Sequence, residues 1–543
     1  MSRNSCAILT AGSVLLFASA AHAQSGDQKP AEAGDHSNQA DSSAPPPAKP
    51  SDSSVAPPAK EPDSSTPPAK QPVDQSFERP AFVLTAGPKA DWKLTIYGFA
   101  EGDMMRDSTR SFNDGINSNV VAHELTQAYD NPRLQFTIRN SRVGFKAQTP
   151  PFAGIRTSGV LEFDLFGNQP SINSGGGSSG QAPGNGTTTE AAYFNNAAFR
   201  VRHAYVKIED DVVDVMAGQG YHLLGWQNYF FPATCAFLGV PNMMFNRTGQ
   251  VRLSHTFKSD PINIDVAVAA FRPAQRDSGL PDGEGGIRLA VNHWKAMTTP
   301  GSGGTGALPA GIGVSGLVRQ FKVDPYAPLR APTVPLTGWA LAGDVLLPII
   351  PAADSAHRGN ALTVTGEFVT GTGDADQYTG MTAGATMPNA QPLPPNTPLN
   401  GMGIVSAPVG AAPLVGLPYT PNVDPGLVAL DLRGAYHTIN WRTLVVGLQY
   451  YLPPDGRFFI SGIYSRGESS NIQSLYHPDS SLRYPWINTN GVFHSSWYAD
   501  GNIFFDVTPS TRIGLSYQYL EQGLADGTTV HNHRVETTFL YFL

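Results

Sequence analysis

Residues 160–166 read Val-Leu-Glu-Phe-Asp-Leu-Phe, and the stretch poses the question of where the water lies. In a strand, alternate side chains point to opposite faces. Leu161, Phe163 and Leu165 therefore share an oily face, and Glu162 and Asp164 an acidic one. A soluble half-buried sheet turns the oil inward. A membrane barrel turns the oil outward to lipid and the acids inward to an aqueous lumen. One segment fits both, so the rest of the chain has to decide.

The first residues read as a secretory signal peptide spanning 1–23. Arg3 supplies the positive start, Ile8 to Ser19 the apolar run, and Ala21-His22-Ala23 the small-residue cleavage pattern. Export follows. Cys6 falls inside the signal, so Cys235 is the one cysteine of the mature chain, which excludes an intrachain disulfide framework and a cysteine-rich metal site. The net charge of −8 does not suit a generic nucleic-acid partner, which would need a basic stripe. Beyond the signal, no apolar run reaches the roughly 18 residues of a transmembrane helix.

Residues 24–90 form a separate Pro/Ala/Ser-rich segment. A degenerate repeat, DSSAPPPAK, DSSVAPPAK and DSSTPPAK, begins at 41, 52 and 63. Proline at that density forbids a helix and favours extended polyproline II, with too little apolar surface for a core. The segment is expected to be a disordered periplasmic spacer. Its lysines either touch the cell wall or are merely tolerated, and its composition does not choose between the two.

From residue 91 to 543 one pattern repeats: about ten alternating residues, then a Gly-, Pro-, Asn- or Asp-rich connection. INIDVAVAAF (262–271), ALDLRGAYH (429–437), RIGLSYQYL (512–520) and RVETTFLYFL (534–543) all alternate. Amphipathic helices are absent from the pattern, and short connections alternate with long ones. That many strands in one soluble sheet would leave open edges or need a helical covering layer. Export without a transmembrane helix fits a closed barrel instead. The expected fold is all-β: a transmembrane antiparallel β-barrel of about 16 strands, within a range of 16–18. Glu162 and Asp164 then face the lumen. A secreted β-helix uses the same alternation, but no short fixed-period repeat runs through the body.

LTIYGFAEGD (94–103), RNSRVGFKA (139–147) and GVLEFDLFG (159–167) together resemble the opening strands of Gram-negative trimeric porins. Within that group FRVRHAYVKI (199–208) and VMAGQGYH (215–222) look most like the DcaP-like outer-membrane porins. The resemblance is concentrated in residues 93–260. It implies a homotrimer in the Gram-negative outer membrane, surrounded by outer-membrane lipid. It also implies a C-terminal strand read by the barrel-assembly machinery, and uptake of dicarboxylates. Two departures stand out. The chain ends in Leu543 where such porins end in phenylalanine, and a proline-rich spacer replaces the helical coiled-coil N-terminus of the DcaP-like group.

A porin selects by the charges lining its narrowest point. Cationic candidates are Arg139, Arg142, Arg200, Arg202, Arg247, Arg252 and Arg272; acidic candidates are Glu101, Asp103, Glu162 and Asp164. Arg200 and Arg202 share a parity opposite Phe199, Val201 and Tyr205, which directs them to the lumen. Guanidinium forks bind carboxylates bidentately. The alternative is that these arginines pair with the acids and only satisfy the wall. The long aromatic stretch 220–249 reads as an inward-folded loop narrowing the pore, or else as a trimer-contact or lipid-facing patch.

Catalytic and metal signals are poor. HNH (531–533) reads as lumen polarity. GSGGTG (301–306) precedes no helix, so a phosphate loop fails its required context. GDAD (373–376) could hold a calcium but reads better as solvated acids. An outer-membrane hydrolase would need a lipid-facing Ser-His pair; His203 and His255 fall near that face without a serine partner. No catalytic residue, metal site or cofactor is assigned. The functional expectation is passive diffusion of small hydrophilic solutes, carboxylate-type anions among them, with a surface adhesin as the alternative. Because the spacer lacks a core, deleting residues 24–80 should leave barrel assembly and conductance intact. Loss of outer-membrane insertion in the deletion mutant, followed by cell fractionation, would overturn that.

Overall fold

The chain divides into two units, Met1–Val73 and Asp74–Leu543. A computed structural model describes residues 82–87, 91–116, 120–167, 197–227, 229–236, 239–275, 278–299, 306–323, 334–378, 423–424, 426–430, 436–475 and 491–543, all in the second unit. The signal peptide and residues 24–81 of the spacer lie outside them.

Strand β1 (Phe82–Ala86) pairs with the start of β2 (Trp92–Asp107), so sheet pairing begins inside the 24–90 span. Next come β3 (Arg133–Thr137) and β4 (Arg142–Gln148), which both pair with β2 as two halves of one stave. The wall continues through β5 (Arg156–Gly167), β6 (Ala198–Glu209), β7 (Asp214–Tyr221), β8 (Arg247–Lys258) and β9 (Ile262–Phe271). It proceeds through β10 (Asp282–Thr298), β11 (Gly306–Val323), β12 (Val334–Ile350) and β13 (Leu362–Thr372). A separate two-stranded sheet, β14 (Val428–Leu430) and β15 (Tyr436–Thr438), precedes β16 (Asn440–Tyr451). β17 (Phe458–Glu468), β18 (Phe493–Thr508), β19 (Thr511–Leu524) and β20 (Thr529–Phe542) complete the wall.

β20 then pairs antiparallel with β2, from Phe99 opposite Phe542 to Asp107 opposite Arg534, and closes a 16-strand barrel. Closure removes the unpaired edge that a membrane would penalise. Leu543 seals the seam by donating its N–H to the Gly98 carbonyl at 3.0 Å. Among the described residues the helical segments are single turns, such as Gln127–Asp130 and Ile472–Leu475.

Leu161 is 42% exposed on the outside, whereas Glu162 and Asp164 are 3% and 1% exposed within. The same polarity runs round the ring: Leu444, Val446 and Leu448 face out from β16, and Ile513, Leu515 and Tyr517 from β19. Opposite them, Thr443 and Gln449 of β16 and Ser516 and Gln518 of β19 are buried within. Oil outward and polarity inward is the signature of a membrane barrel.

Three sequence readings are corrected. The described residues of the alternating stretch 429–437 do not join the barrel wall: β14 pairs with β15 in a separate two-stranded sheet, and its Val428 and Ala429 are buried. A bulge where Glu162 faces His203 and Phe163 faces Val201 shifts the parity of β6. His203 is therefore turned inward, 4.7 Å from the Tyr221 ring, rather than toward lipid, and Tyr205 falls on the inward parity too. In HNH only Asn532 is in the lumen; His531 and His533 lie on the outer face with Tyr519, at ring distances of 6.1 and 5.0 Å.

The strands meet tight connections at one end, at residues 149–155, 210–213, 259–261, 452–457 and 509–510. At the other end they meet long ones, at 108–132, 168–197, 222–246 and 469–492 and between β13 and β14. Outer-membrane barrels with that asymmetry carry their long connections outside the cell. A protease site inserted near Pro395, between β13 and β14, should be cut in intact cells. Cleavage only after permeabilisation would put that end on the periplasmic side.

Candidate functional site: the lumen and its inward loop

The connection between β7 and β8 runs inside the barrel. Leu223, Leu224, Trp226, Phe230, Phe231, Cys235, Val240 and Met244 are all buried. Burying an irregular segment strands backbone groups unless the wall supplies partners. It does. On β10, Glu284 accepts the N–H groups of Leu223 and Leu224 at 2.7 and 3.0 Å and meets His222 Nδ1 at 2.8 Å. Glu367 of β13 accepts the Met244 N–H at 2.9 Å. The hydroxyl of Ser315 on β11 accepts from Gly225, and Asn502 on β18 from Cys235. Ser461 and Ser465 of β17 donate to the carbonyls of Ala233 and Pro241.

Missing wall side chains make room for this loop. A Cβ on Gly313 of β11 would sit 2.6 Å from the Trp226 ring, and one on Gly447 of β16 would sit 2.8 Å from Pro232. Trp226 itself carries a positive φ of 40°, a conformation a bulky residue keeps only when packing holds it. The loop thus lies against β10 to β18. Cys235 is buried with it, and burial pushes its thiol well above the usual range.

The wall from β4 to β8 carries the arginines. Arg200 binds Asp164 through two nitrogens at 2.9 and 2.6 Å. Arg202, fully buried, binds Glu162 at 2.7 Å, Asp164 at 3.0 Å and the Tyr221 hydroxyl at 2.9 Å. Arg247 lies over the rings of Tyr221 and Phe245, at 5.4 and 5.0 Å. Arg142 approaches Glu162 only to 4.0 Å and stacks over Phe99 at 5.0 Å. Three guanidinium groups therefore lie within 4.0 Å of two carboxylates, and Arg247 adjoins them across Tyr221. Arg252 donates to Gln250 and to the Tyr221 carbonyl. Arg139 is paired elsewhere, with Asp114 of the β2–β3 connection at 2.9 Å. Arg272 is exposed at the end of β9 and stands apart from the cluster.

The acids on β2 form a second group. Glu101, Asp103 and Asp107 point inward in one column, beside Thr538, Glu536 and Arg534 of β20. Asp107 is neutralised by Arg534 through two bonds of 2.8 Å. Glu101 accepts from Asn140 at 2.6 Å and from Thr538 at 3.0 Å. In the GDAD stretch, Asp376 pairs with Arg319 at 2.5 Å and Asp374 accepts from Tyr378 at 3.2 Å, so these acids are engaged rather than solvated. Burial pushes the Asp374 carboxyl up to about 8. Among the described residues no cluster of three or more His, Cys, Asp or Glu side chains could hold a metal ion.

The structure aligns with the outer-membrane channel DcaP of Acinetobacter baumannii at TM-score 0.54 and 15% identity, over 84% of this chain and 99% of that one. The two share a fold. OprB of Pseudomonas putida aligns at TM-score 0.42 and 10% identity, over 82% of this chain and 94% of that one. An anion-selective porin from Comamonas acidovorans aligns at 0.40 and 9%, over 83% and 100%. No family model and no curated protein matches the chain.

Several residues that shape the lumen escaped the sequence reading. Glu284 and Glu367 sit at inward positions of alternating strands, but nothing local marks them as anchors for a loop more than a hundred residues away for Glu367. Arg534 stood on the polar parity of the last strand without being nominated; it also donates to the carbonyls of Asn113 and Asp114 and so holds the β2–β3 connection. Replacing Glu284 or Glu367 by alanine strands buried donors, at a cost of about 1–3 kcal/mol each. We expect a lower unfolding temperature by circular dichroism and a larger, noisier single-channel conductance. Lowered stability with unchanged conductance would show that this loop does not limit the opening.

Proposed function

We propose that the protein is an outer-membrane porin, a passive channel for small hydrophilic solutes with a preference for carboxylate-bearing anions. One observation carries this reading: on the lumen wall Arg142, Arg200 and Arg202 share Glu162 and Asp164, and Arg247 adds a fourth cation over the neighbouring Tyr221 ring. Charges in a narrow, weakly solvated lumen act at short range, whereas charges on distant loops are screened beyond about 8 Å in physiological salt. The overall charge of −8 is therefore a poor guide, and the local surplus of cations sets the sign.

The remaining pore-lining candidates fit subordinate roles. Arg139 and Arg252 hold the wall and its connections, while Glu101 and Asp103 supply the opposite sign that a transverse field needs. The spacer ahead of β1 stays in the periplasm. Assembly is a homotrimer through barrel walls, surrounded by outer-membrane lipid, and the C-terminal strand is the segment the barrel-assembly machinery reads. The DcaP fold supports this reading through shape alone.

Conductance of the purified protein in planar bilayers tests the channel, and reversal potentials under a KCl gradient test its sign. Wild type should favour chloride. In Arg200→Ala with Arg202→Ala, Glu162 and Asp164 lose their closest cations, and the preference should turn toward potassium. Absence of stepwise conductance sinks the porin reading. A potassium preference in wild type, or an unchanged potential in the double variant, sinks the assignment of its charges.

A further inference from the structure

Beside the inward loop is a cavity of about 120 Å³, bounded by the loop and by β2, β4 and β18 to β20. Its wall side carries Glu101, Arg142, Thr538 and Arg512; its loop side carries Phe231, Pro232, Ala233 and Ala236. The volume leaves room for several waters, or for one small solute in their place.

The charges at this cavity differ from those elsewhere in the lumen. Arg512 is spent on Asp506, with bonds of 2.6 and 3.1 Å. Arg142 is not: Glu162 at 4.0 Å is already bound by Arg202 at 2.7 Å, and the Arg142 Nε has no hydrogen-bond partner among the described residues. Glu101 accepts from the neutral donors Asn140 and Thr538, its other near neighbour is the Asp103 carboxyl, and no cation among the described residues lies within 4.0 Å of it. The Arg142 side chain is 8% exposed and Glu101 is 6% exposed, so water neutralises them poorly. A buried charge without a close partner is costly, and a ligand that supplies the partner recovers that cost.

We propose that this cavity is a subsite for small zwitterions of the amino-acid class. The carboxylate binds the Arg142 guanidinium, the ammonium binds Glu101, and a short apolar side chain rests on Phe231, Pro232 and Ala233. A dicarboxylate fits worse, because its second negative charge meets Glu101. A neutral polyol leaves both charges unpaired. The proposal deepens the porin reading and rests on it, since solutes reach the cavity only through the lumen.

Current block in planar bilayers tests it, with L-alanine, lactate, 2-aminopropanol, succinate and glycerol as probes. L-Alanine should block the KCl current saturably and more tightly than lactate, 2-aminopropanol or succinate, and glycerol should not block. Arg142→Gln and Glu101→Gln should each weaken the alanine block about tenfold or more, the effect of losing one charged hydrogen-bond partner. Arg142→Lys should retain part of it. The comparison of wild type with the singly charged analogues decides the matter even where a variant fails to insert. A succinate block tighter than the alanine block, or an alanine block unchanged in both glutamine variants, overturns the subsite while leaving the channel standing. No channel of any kind overturns the porin reading and the subsite with it.

Discussion

The antiparallel pairing of β20 with β2 is the constraint on which the rest of the molecule depends. In hydrocarbon every backbone N–H and C=O needs an internal partner, so a sheet of this kind survives only as a ring. Closure imposes two surfaces of opposite character. The outer one can be apolar throughout, as Val446, Leu448, Ile460, Ile503 and Leu515 make it. The inner one inherits every polar residue of the alternation, whether or not water is there to solvate it.

That inner surface explains how the loop between β7 and β8 can lie where it does. An irregular segment carries backbone groups that no ladder satisfies, and an apolar interior would reject it. The wall offers Glu284, Ser315, Glu367, Ser461, Ser465 and Asn502 at the heights where those groups arrive. Apolar side chains of the loop then pack on one another and on the mouth, with Phe112, Ile116, Val428 and Ile472 in the same cluster. Polar anchoring and apolar burial cooperate: neither alone would hold a segment across the lumen.

The same inward column produces the electrical asymmetry. Alternation can place a charge in the lumen, but the pairing register chooses its neighbour. Asp164 opposite Arg200 and Asp107 opposite Arg534 become ion pairs because register sets them side by side. Arg142 stands opposite Phe99 on one side and Asp164 on the other, and Arg200 and Arg202 claim that carboxylate first. An unmatched cation beside the less heavily bridged Glu101 is a consequence of strand offset, and no composition or motif announces it.

What the amino-acid order determined by itself is the fold class: a two-residue period sustained from Trp92 to Phe542 puts oil on one face and polarity on the other, whatever the register. The inward side of Glu162 and Asp164 was legible for that reason, as were Arg200 and Arg202. Where a bulge interrupts the period the same reasoning fails, and His203 and Tyr205 were put on the wrong face by one residue. The stretch 429–437 shows a second limit, since alternation describes any strand and cannot say which sheet it joins. Tertiary structure alone decided which charges cancel and which remain, because ion pairing depends on separations of a few ångströms across strands. Residues 40 positions apart for Arg202 and Glu162, or 427 for Arg534 and Asp107, meet only when the ring has closed.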